Sequence, residues 1–183
     1  MTTYDITLKI PEGVHVILEG TFVTVKGLKG SICKKFSYPT LVLNIEGDSI
    51  LIKSILKKSN RSDKMYINTF QAHLHNMFYG VQHGYKATLK VCSGHFPITV
   101  GIEGNIVFVK NFLGEKLPRK STIMDNVNVK VEGDQIIVEG IDIEKVGQTA
   151  ARIEQSTRIT NRDRRVYQDG CYIVKKPGEQ RRA

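Results

Sequence analysis

LEGTFVTVKGLKG at residues 18–30 and IEGNIVFVKNFLG at residues 102–114 are two copies of one pattern, and this repeat decides the fold. Glu, Gly, two Val, Lys and a final Gly are identical at an offset of 84 residues. A second pair, IEGDSILI at 45–52 and VEGDQIIV at 131–138, matches at an offset of 86. In each stretch a Gly lies between short apolar runs, which is typical of a β-hairpin. The sequence therefore predicts that one strand-rich unit has been duplicated.

Each copy continues into an amphipathic helix, because its apolar residues recur at spacings of three and four. We predict the first helix within 62–81, with one apolar stripe of Ile67, Phe70, Leu74, Met77, Phe78 and Val81. We predict Asp142 as the N-cap of the second helix, with a buried stripe of Ile143, Val146, Ala150, Ile153 and Thr157. The expected fold is α+β, with two tandem duplicated domains, each an antiparallel sheet with one helix packed on a face.

The predicted domains are residues 1–83, residues 84–176 and a basic tail at 177–183. A strand at 85–91 could belong to either domain. The polar stretch 54–64 could be a loop or the start of the first helix. Residues 113–122 are predicted to form a loop on the surface of the second domain.

The charge of the chain is concentrated at its end. Lys and Arg number 27 against 18 Asp and Glu, a net charge of +9, and residues 157–183 hold eight cations against three acids. This excess favours a polyanion as partner, with an anionic membrane surface as the second choice. The stretch TRITNRDRRVYQDGCYIVKK at 157–176 also places Tyr167 and Tyr172 among the cations, a combination that suits RNA phosphates and unstacked bases. A solvated basic loop, with each tyrosine packed on a sheet, is the alternative interpretation.

The sequence contains no pattern that indicates an enzyme, a metal site or a cofactor. His73 and His75 would lie about 200° apart around a helix and could not share one ion. The residues GLKGS at 27–31 lack the spacing of a phosphate-binding loop, and a β-turn is predicted there instead. We therefore predict no catalytic residues, no metal ligands and no cofactor.

The cysteines Cys33, Cys92 and Cys171 lack the spacing of a zinc site or a disulfide framework, so we interpret them as reduced, small hydrophobic residues. The N-terminal residues lack the apolar core of a signal peptide, and no run approaches the length of a membrane span. The expectation is a soluble, cytoplasmic protein that does not associate with a membrane.

Several motifs resemble one known family. NRDRRVYQDGCYIVKK, preceded by the helix DIEKVGQTAARIEQSTR, resembles the C-terminal signature of the universal large-subunit ribosomal protein called number six in bacteria and number nine in eukaryotes. GHFPITVGIEGNIVFVKNFLGEK at 94–116 resembles the archaeal and eukaryotic branch of that family. The N-terminal IPEGVHV and TVKGLKG agree with its opening strands. Where the family has an aliphatic residue after the Asp-Gly pair, this chain has Cys171.

The resemblance implies a structural constituent of the ribosome, located in the cytoplasm, whose second domain binds and positions rRNA near the sarcin–ricin loop. It implies large-subunit rRNA and neighbouring ribosomal proteins as partners, with translational GTPases nearby. It also implies roles for Asp163 and Asp169 in the terminal signature. Together with the basic residues beside these motifs, the predicted rRNA-binding residues are Lys110, Asn111, Phe112, Lys116, Arg119, Lys120, Arg158, Asn161, Arg162, Arg164, Arg165, Tyr167, Gly170, Tyr172, Lys175 and Lys176.

We expect Asp163 to pair with a neighbouring arginine, and Asp169 and Gly170 to form a tight turn. The alternative function is a protein-interaction adaptor, in which paired domains present sheet edges or helix faces and the basic tail only adds solubility.

Overall fold

A computed structural model describes residues 5–56 and 60–179. The chain divides into two compact units, Met1–Gly84 and Tyr85–Ala183. Residues 180–183 of the predicted basic tail, including Arg181 and Arg182, lie outside the described residues, as do residues 57–59 of the basic stretch before the first helix. The described residues form two helices and thirteen strands in four antiparallel sheets.

The first unit contains two three-stranded antiparallel sheets and one helix. Two of its hairpins turn at Gly20 and Gly47, which adopt the positive φ that tight turns require. The sheets have the orders β1-β6-β5 and β2-β3-β4. The strands are β1 (Ile6–Lys9), β2 (His15–Glu19), β3 (Phe22–Gly27), β4 (Gly30–Lys35), β5 (Leu41–Glu46) and β6 (Ser49–Ser54).

Helix α1 (Arg61–His83) covers the inner side of these sheets. Every residue of the predicted apolar stripe is buried, so the helix and its orientation are confirmed. Asp63 fixes its start, since its carboxylate accepts from the Asn60 backbone N–H at 2.9 Å and from the Thr40 hydroxyl at 2.6 Å. Residues 60–64 of the uncertain stretch are therefore the cap and first turn of this helix.

The second unit repeats the plan. Its sheets have the orders β11-β12-β7-β13 and β10-β9-β8. The strands are β7 (Tyr85–Cys92), β8 (Thr99–Glu103), β9 (Ile106–Lys110), β10 (Arg119–Thr122), β11 (Val127–Glu132), β12 (Gln135–Gly140) and β13 (Gly170–Lys175). The strand at 85–91 thus belongs to the second unit, where it pairs with both β12 and β13.

Helix α2 (Ile143–Ser156) packs on β7, β10, β12 and β13. Asp142 is its N-cap, as predicted, because its carboxylate accepts from the Glu144 backbone N–H at 3.0 Å. Val146, Ala150 and Ile153 are fully buried and Thr157 nearly so, while Ile143 is only half-buried. The predicted stripe therefore faces the core over most of the helix.

Two insertions distinguish the second unit from the first. β3 and β4 are joined by the two residues 28 and 29, whereas β9 and β10 are joined by the eight residues 111–118. In addition, β7 pairs with the hairpin of β11 and β12, as β1 pairs with the hairpin of β5 and β6 in the first unit. The other edge of β7 pairs with β13, a strand with no counterpart among the described residues of the first unit. Both insertions carry predicted binding residues.

The predicted α+β architecture is confirmed, with two sheets in each unit instead of one. The prediction of a loop over 113–122 is wrong for residues 119–122, which form β10 because Ser121 and Ile123 face the core while their neighbours face outward. All three cysteines are free, as predicted; Cys171 is buried, Cys92 is half-buried and Cys33 is exposed on β4. Burial raises the pKa of the Cys171 thiol to about 11, which suits an inert core residue.

Candidate nucleic-acid interface

Three segments of the second unit meet at one surface: residues 94–97, residues 111–118 and residues 158–169. We call this the three-segment surface. Asp169 joins the first segment to the third, because its Oδ1 accepts from the backbone N–H groups of Gly94 and of His95, the latter at 2.9 Å. Its Oδ2 lies 2.8 Å from the His95 Nδ1. The Asp169 side chain is completely buried, so these contacts fix the relative positions of the two segments.

Arg119 joins the second segment to the third. Its Nε and one terminal nitrogen donate to the two oxygens of Glu115 at 2.9 and 2.7 Å. Its other terminal nitrogen donates to the carbonyls of Ser156 at 2.9 Å and Arg158 at 3.1 Å, at the end of α2. The guanidinium also lies 4.2 Å from the centre of the Phe112 ring. Four of its five N–H groups are therefore engaged within the protein.

The first and second segments are also in contact. The Asn111 amide donates to the Pro97 carbonyl at 3.0 Å. The Phe96 ring lies against Gly114, with its Cε1 3.4 Å from the position that a Cβ would take there. The three segments therefore form one continuous surface without relying on a bound partner.

A stack of planar groups lies on this surface. The Arg162 guanidinium lies 4.9 Å from the centre of the Tyr167 ring, and the centre of the His95 imidazole also lies 4.9 Å from that ring centre, with the two rings tilted by 33°. His95 in turn rests on buried Asp169. Burial alone would raise the pKa of the Asp169 carboxyl, but the hydrogen bonds from the His95 backbone, the His95 ring and Gly94 outweigh it, and the pKa lies below its usual value. The buried carboxylate of Asp169 thus orients the His95 ring, which contacts the partly exposed Tyr167 ring.

The tight turn of the third segment lies at residues 163–167. The Asp163 carbonyl accepts from the backbone N–H groups of Val166 and Tyr167, and its carboxylate accepts from the Arg165 backbone N–H at 2.9 Å. The same carboxylate pairs with the Arg165 guanidinium at 2.7 Å, which lowers the pKa of Asp163 and raises that of Arg165. The expected pairing of Asp163 is confirmed. The expectation of a turn at Asp169 and Gly170 is wrong, since Gly170 already begins β13.

Several exposed cations of this surface make no side-chain hydrogen bond or ion pair within the protein. Within the described part of the chain, no side-chain hydrogen bond or ion pair engages a group of exposed lysines and arginines: Lys110, Lys116, Arg158, Arg162 and Arg164. Lys120 is exposed with its ammonium 5.5 Å from the Phe108 ring centre. Asn161 is exposed as well. Cations without internal partners keep their full capacity to bind an anionic ligand.

A groove opens beside Tyr172, at the end of α2. Its volume is about 250 Å³, and it is lined by Glu154, Gln155, Thr157, Arg158, Ile159, Arg164 and Tyr172. Tyr172 is 41% exposed, and its hydroxyl reaches the Asp169 carbonyl at 3.4 Å. Burial is the main reason that the pKa of Tyr172 is raised. The tyrosine is therefore a strand residue whose ring remains partly open to solvent.

Four predicted residues do not join this surface as ligand-facing groups. The Phe112 ring is 1% exposed and belongs to the core beneath Arg119. Gly170 is buried, and its φ of 149° is available mainly to glycine. Lys175 and Lys176 are exposed but precede Pro177, whose Cγ lies 3.7 Å from the position of a Cβ at Gly147, near the start of α2. That position is about 14 Å along the helix axis from Ser156.

The backbone of the three-segment surface is held in unusual conformations. In the described part of the chain, four non-glycine residues have positive φ, and three of them lie here: Asn111 at 59°, Leu113 at 49° and Asn161 at 60°. Such conformations cost about 1–3 kcal/mol each and persist where surrounding contacts enforce them.

Sequence reasoning missed His95 and Phe96 as members of this site. The periodicity of the sequence gives no sign of the contact between His95 and Asp169, which lies 74 residues away. Each segment also exposes one large apolar side chain, namely Phe96, Leu117 and Val166. The only signal in the sequence that could have identified His95 and Phe96 is the HFPI motif that carries the family resemblance.

No group of three or more His, Cys, Asp or Glu side chains that could hold a metal ion occurs in residues 5–56 and 60–179. None of the helices in those ranges has the length and apolar character required to cross a bilayer.

Comparison with known proteins gives a consistent result. The family described as "Ribosomal protein L6" matches residues 96–170, which include the second and third segments of the surface and residues 96 and 97 of the first. The chain is 44% identical to the "Large ribosomal subunit protein uL6" of Haloarcula marismortui, over 94% of this chain and 96% of that protein. It is 45% identical to the protein of the same name from Desulfurococcus amylolyticus, over 92% of each chain. For the Sulfurisphaera tokodaii protein the identity is 46%, over 92% of this chain and 90% of the relative.

Proposed function

The chain belongs to the ribosomal protein L6 family, whose members are non-enzymatic constituents of the large ribosomal subunit, and we propose that its second unit binds and positions rRNA through the three-segment surface. The observation that supports this most strongly is the convergence of the unit's own insertions. The β9–β10 connection is longer than its counterpart in the first unit, and β13 has no counterpart among the described residues of that unit. Arg119 joins this connection to the segment before β13, and Asp169 joins the same segment to residues 94 and 95. The protein-interaction adaptor has no comparable support.

Phosphate binding supplies most of the affinity in this mechanism. Lys110, Lys116, Arg162 and Arg164 are exposed without internal ion pairs, and phosphate contacts are the dominant, sequence-independent term in RNA binding. Guanidinium groups bind phosphate oxygens in pairs and also stack on bases, so the arginines of the third segment take the leading part. Arg165 contributes its charge while its pair with Asp163 keeps the turn in place.

The rings and apolar side chains give the surface its ability to hold structured RNA. Tyr167 is half-buried and contacts both Arg162 and His95, which restricts the orientation of its ring. Phe96 and Leu117 offer apolar contact to ribose or unpaired bases. Recognition of RNA commonly combines stacking on aromatic side chains with contacts to the backbone. The rigid arrangement limits the conformational entropy lost on binding.

The proposal extends to a location. The NFLGEK and NRDRRVYQDG motifs resemble the family's segments that hold rRNA near the sarcin–ricin loop, beside the site of the translational GTPases. We place the three-segment surface on that rRNA and the GTPases close to it. A hairpin RNA with the sarcin–ricin sequence should bind more tightly than an RNA hairpin of equal length with an unrelated loop. Equal affinities for the two hairpins would contradict the location.

The salt dependence of binding tests the phosphate mechanism. The double variant Arg162→Ala/Arg165→Ala removes two exposed cations, and the slope of log K against log salt for an rRNA fragment should become shallower by about 1–2. Fluorescence anisotropy at several salt concentrations measures this slope. Lys53→Ala removes one exposed cation from the first unit and should leave the slope nearly unchanged. An unaltered slope in the double variant would exclude these two residues as phosphate contacts.

A further inference from the structure

The groove beside Tyr172 has the size of a site for one nucleotide. Its volume of about 250 Å³ lies just below the range of about 300–1,000 Å³ typical of sites for drug-sized ligands. It is too small for a helical element of RNA. A single base with part of its ribose is the largest unit of an RNA chain that it could enclose.

The walls of the groove combine an apolar floor with a ring and two cations. Ile159 is 6% exposed and gives an apolar base to the groove, while the Tyr172 ring is open enough to accept a stacked partner. Arg158 and Arg164 lie at the rim, and neither guanidinium has a hydrogen-bond or ion-pair partner among the described residues. A ring beside two available cations provides a stacking platform next to a phosphate site.

Glu154 adds a selective element. Its Oε1 accepts from the Ile173 backbone N–H at 2.9 Å, so the carboxylate is held in a fixed orientation at the groove. A carboxylate accepts hydrogen bonds from amino and imino groups of a base and repels carbonyl oxygens. Guanine presents two adjacent N–H groups on its Watson–Crick edge, whereas uracil presents a single N–H flanked by two carbonyl oxygens. The carboxylate therefore favours guanine over uracil.

We propose that this groove binds one unstacked guanine nucleotide of the RNA, with its base on the Tyr172 ring, its Watson–Crick edge on Glu154 and its phosphate between Arg158 and Arg164. The inference rests on the proposed RNA-binding function and assigns a base-specific site within it. The three-segment surface supplies sequence-independent affinity, and the groove selects an RNA in which a guanine is extruded from the helix. Extrusion costs least for a base that is already bulged or unpaired.

Three short hairpin RNAs, identical except for a single bulged guanine, a single bulged uracil or no bulge, test the proposal with the full chain. Dissociation constants come from fluorescence anisotropy at one salt concentration. The wild-type protein should bind the guanine-bulged RNA about tenfold more tightly than either of the others. Tyr172→Leu keeps apolar bulk but removes the ring, and should weaken binding to the guanine-bulged RNA about 10–100-fold. Tyr172→Phe keeps the ring and should retain the affinity.

Glu154→Gln tests how much the charge of Glu154 contributes to the selection of guanine, because the amide oxygen can still accept from the Ile173 N–H while the charge is lost. This variant should reduce the preference for guanine over uracil. Equal affinities of the wild-type protein for the three RNAs, or an equal effect of Tyr172→Leu on all of them, would overturn the groove proposal. If Arg162→Ala/Arg165→Ala still weakens binding in that case, the proposed rRNA-binding function stands without the groove. If neither set of variants alters binding, both proposals fail.

Discussion

Asp169 is the residue on which the geometry of the surface depends most. Its carboxylate is fully buried, and the hydrogen bonds of that carboxylate all go to residues 94 and 95. Its backbone carbonyl accepts from the Tyr172 hydroxyl. A buried ion is costly unless it is fully hydrogen-bonded. Here the two backbone N–H groups and the imidazole satisfy it, so a single side chain replaces a regular element of secondary structure as the link between two segments.

Replacing Asp169 should therefore affect stability. Asp169→Ala leaves the Gly94 and His95 N–H groups without their acceptor and should lower the free energy of unfolding by about 3 kcal/mol. Asp169→Asn keeps one oxygen as acceptor and should cost less, about 1 kcal/mol. Urea unfolding followed by circular dichroism measures both. Equal stability of the alanine variant and the wild type would show that the contacts do not hold the segments together.

The pH dependence of stability in the wild type and in Asp169→Asn tests whether Asp169 is charged in the folded protein. Because the pKa of Asp169 is lower in the folded protein than in the unfolded chain, its stabilising effect is fully present above about pH 4 and is lost as the pH falls through the folded-state pKa. The wild type should thus lose more stability than Asp169→Asn as the pH is lowered below about 4. Parallel profiles for the two proteins would contradict the assignment.

At the scale of elements, the β9–β10 connection is the part that differs most from its counterpart in the first unit. Arg119 begins β10 and holds this connection against the end of α2 through Glu115, Ser156 and Arg158. The Arg119 hydrogen bond is the main cause of the lowered pKa of Glu115. Arg119 is thus a positioning residue, although the sequence alone suggests a direct contact with RNA.

Arg119→Ala should loosen this connection without unfolding the unit. We expect the local free energy of opening to fall by about 1–2 kcal/mol, so that backbone amides at 115–118 exchange about tenfold faster. Hydrogen exchange followed by mass spectrometry measures this. Arg165→Ala is the matched control, because the pair of Arg165 with Asp163 lies within one turn and joins no two segments. Unchanged exchange at 115–118 in Arg119→Ala would refute the role of Arg119.

Regular elements were predictable because their signals are local. The stripes of α1 and α2, the N-cap at Asp142 and the hairpin glycines all follow from spacing within a few residues. The contact of His95 with Asp169 and the burial of Phe112 were not predictable from spacing, since both depend on residues that meet only after the sheets form. The turn was misplaced because Asp-Gly is a strong turn signal, whereas here the carboxylate of Asp169 is used for a tertiary contact.

At the scale of the whole molecule, the duplication separates the repeated hairpins from the parts of the second unit that carry the proposed binding groups. Residues that match between the copies form the hairpins, for example Gly47 and Gly133, both at a φ of 57°. The parts without a counterpart contain most of the proposed binding groups. The repeat in the sequence indicated this division before the structure, but the meeting of the insertions at one surface is a property of the folded second unit.

The most direct test of this division is ultraviolet crosslinking of intact large subunits, followed by identification of the peptides joined to rRNA. Zero-length crosslinks form only where side chains touch nucleotides, so the method reports contact and not mere proximity. The account predicts crosslinked peptides from residues 94–97, 111–118 and 158–172 of the second unit. Crosslinks confined to the described residues of the first unit, with none from those three segments, would contradict it.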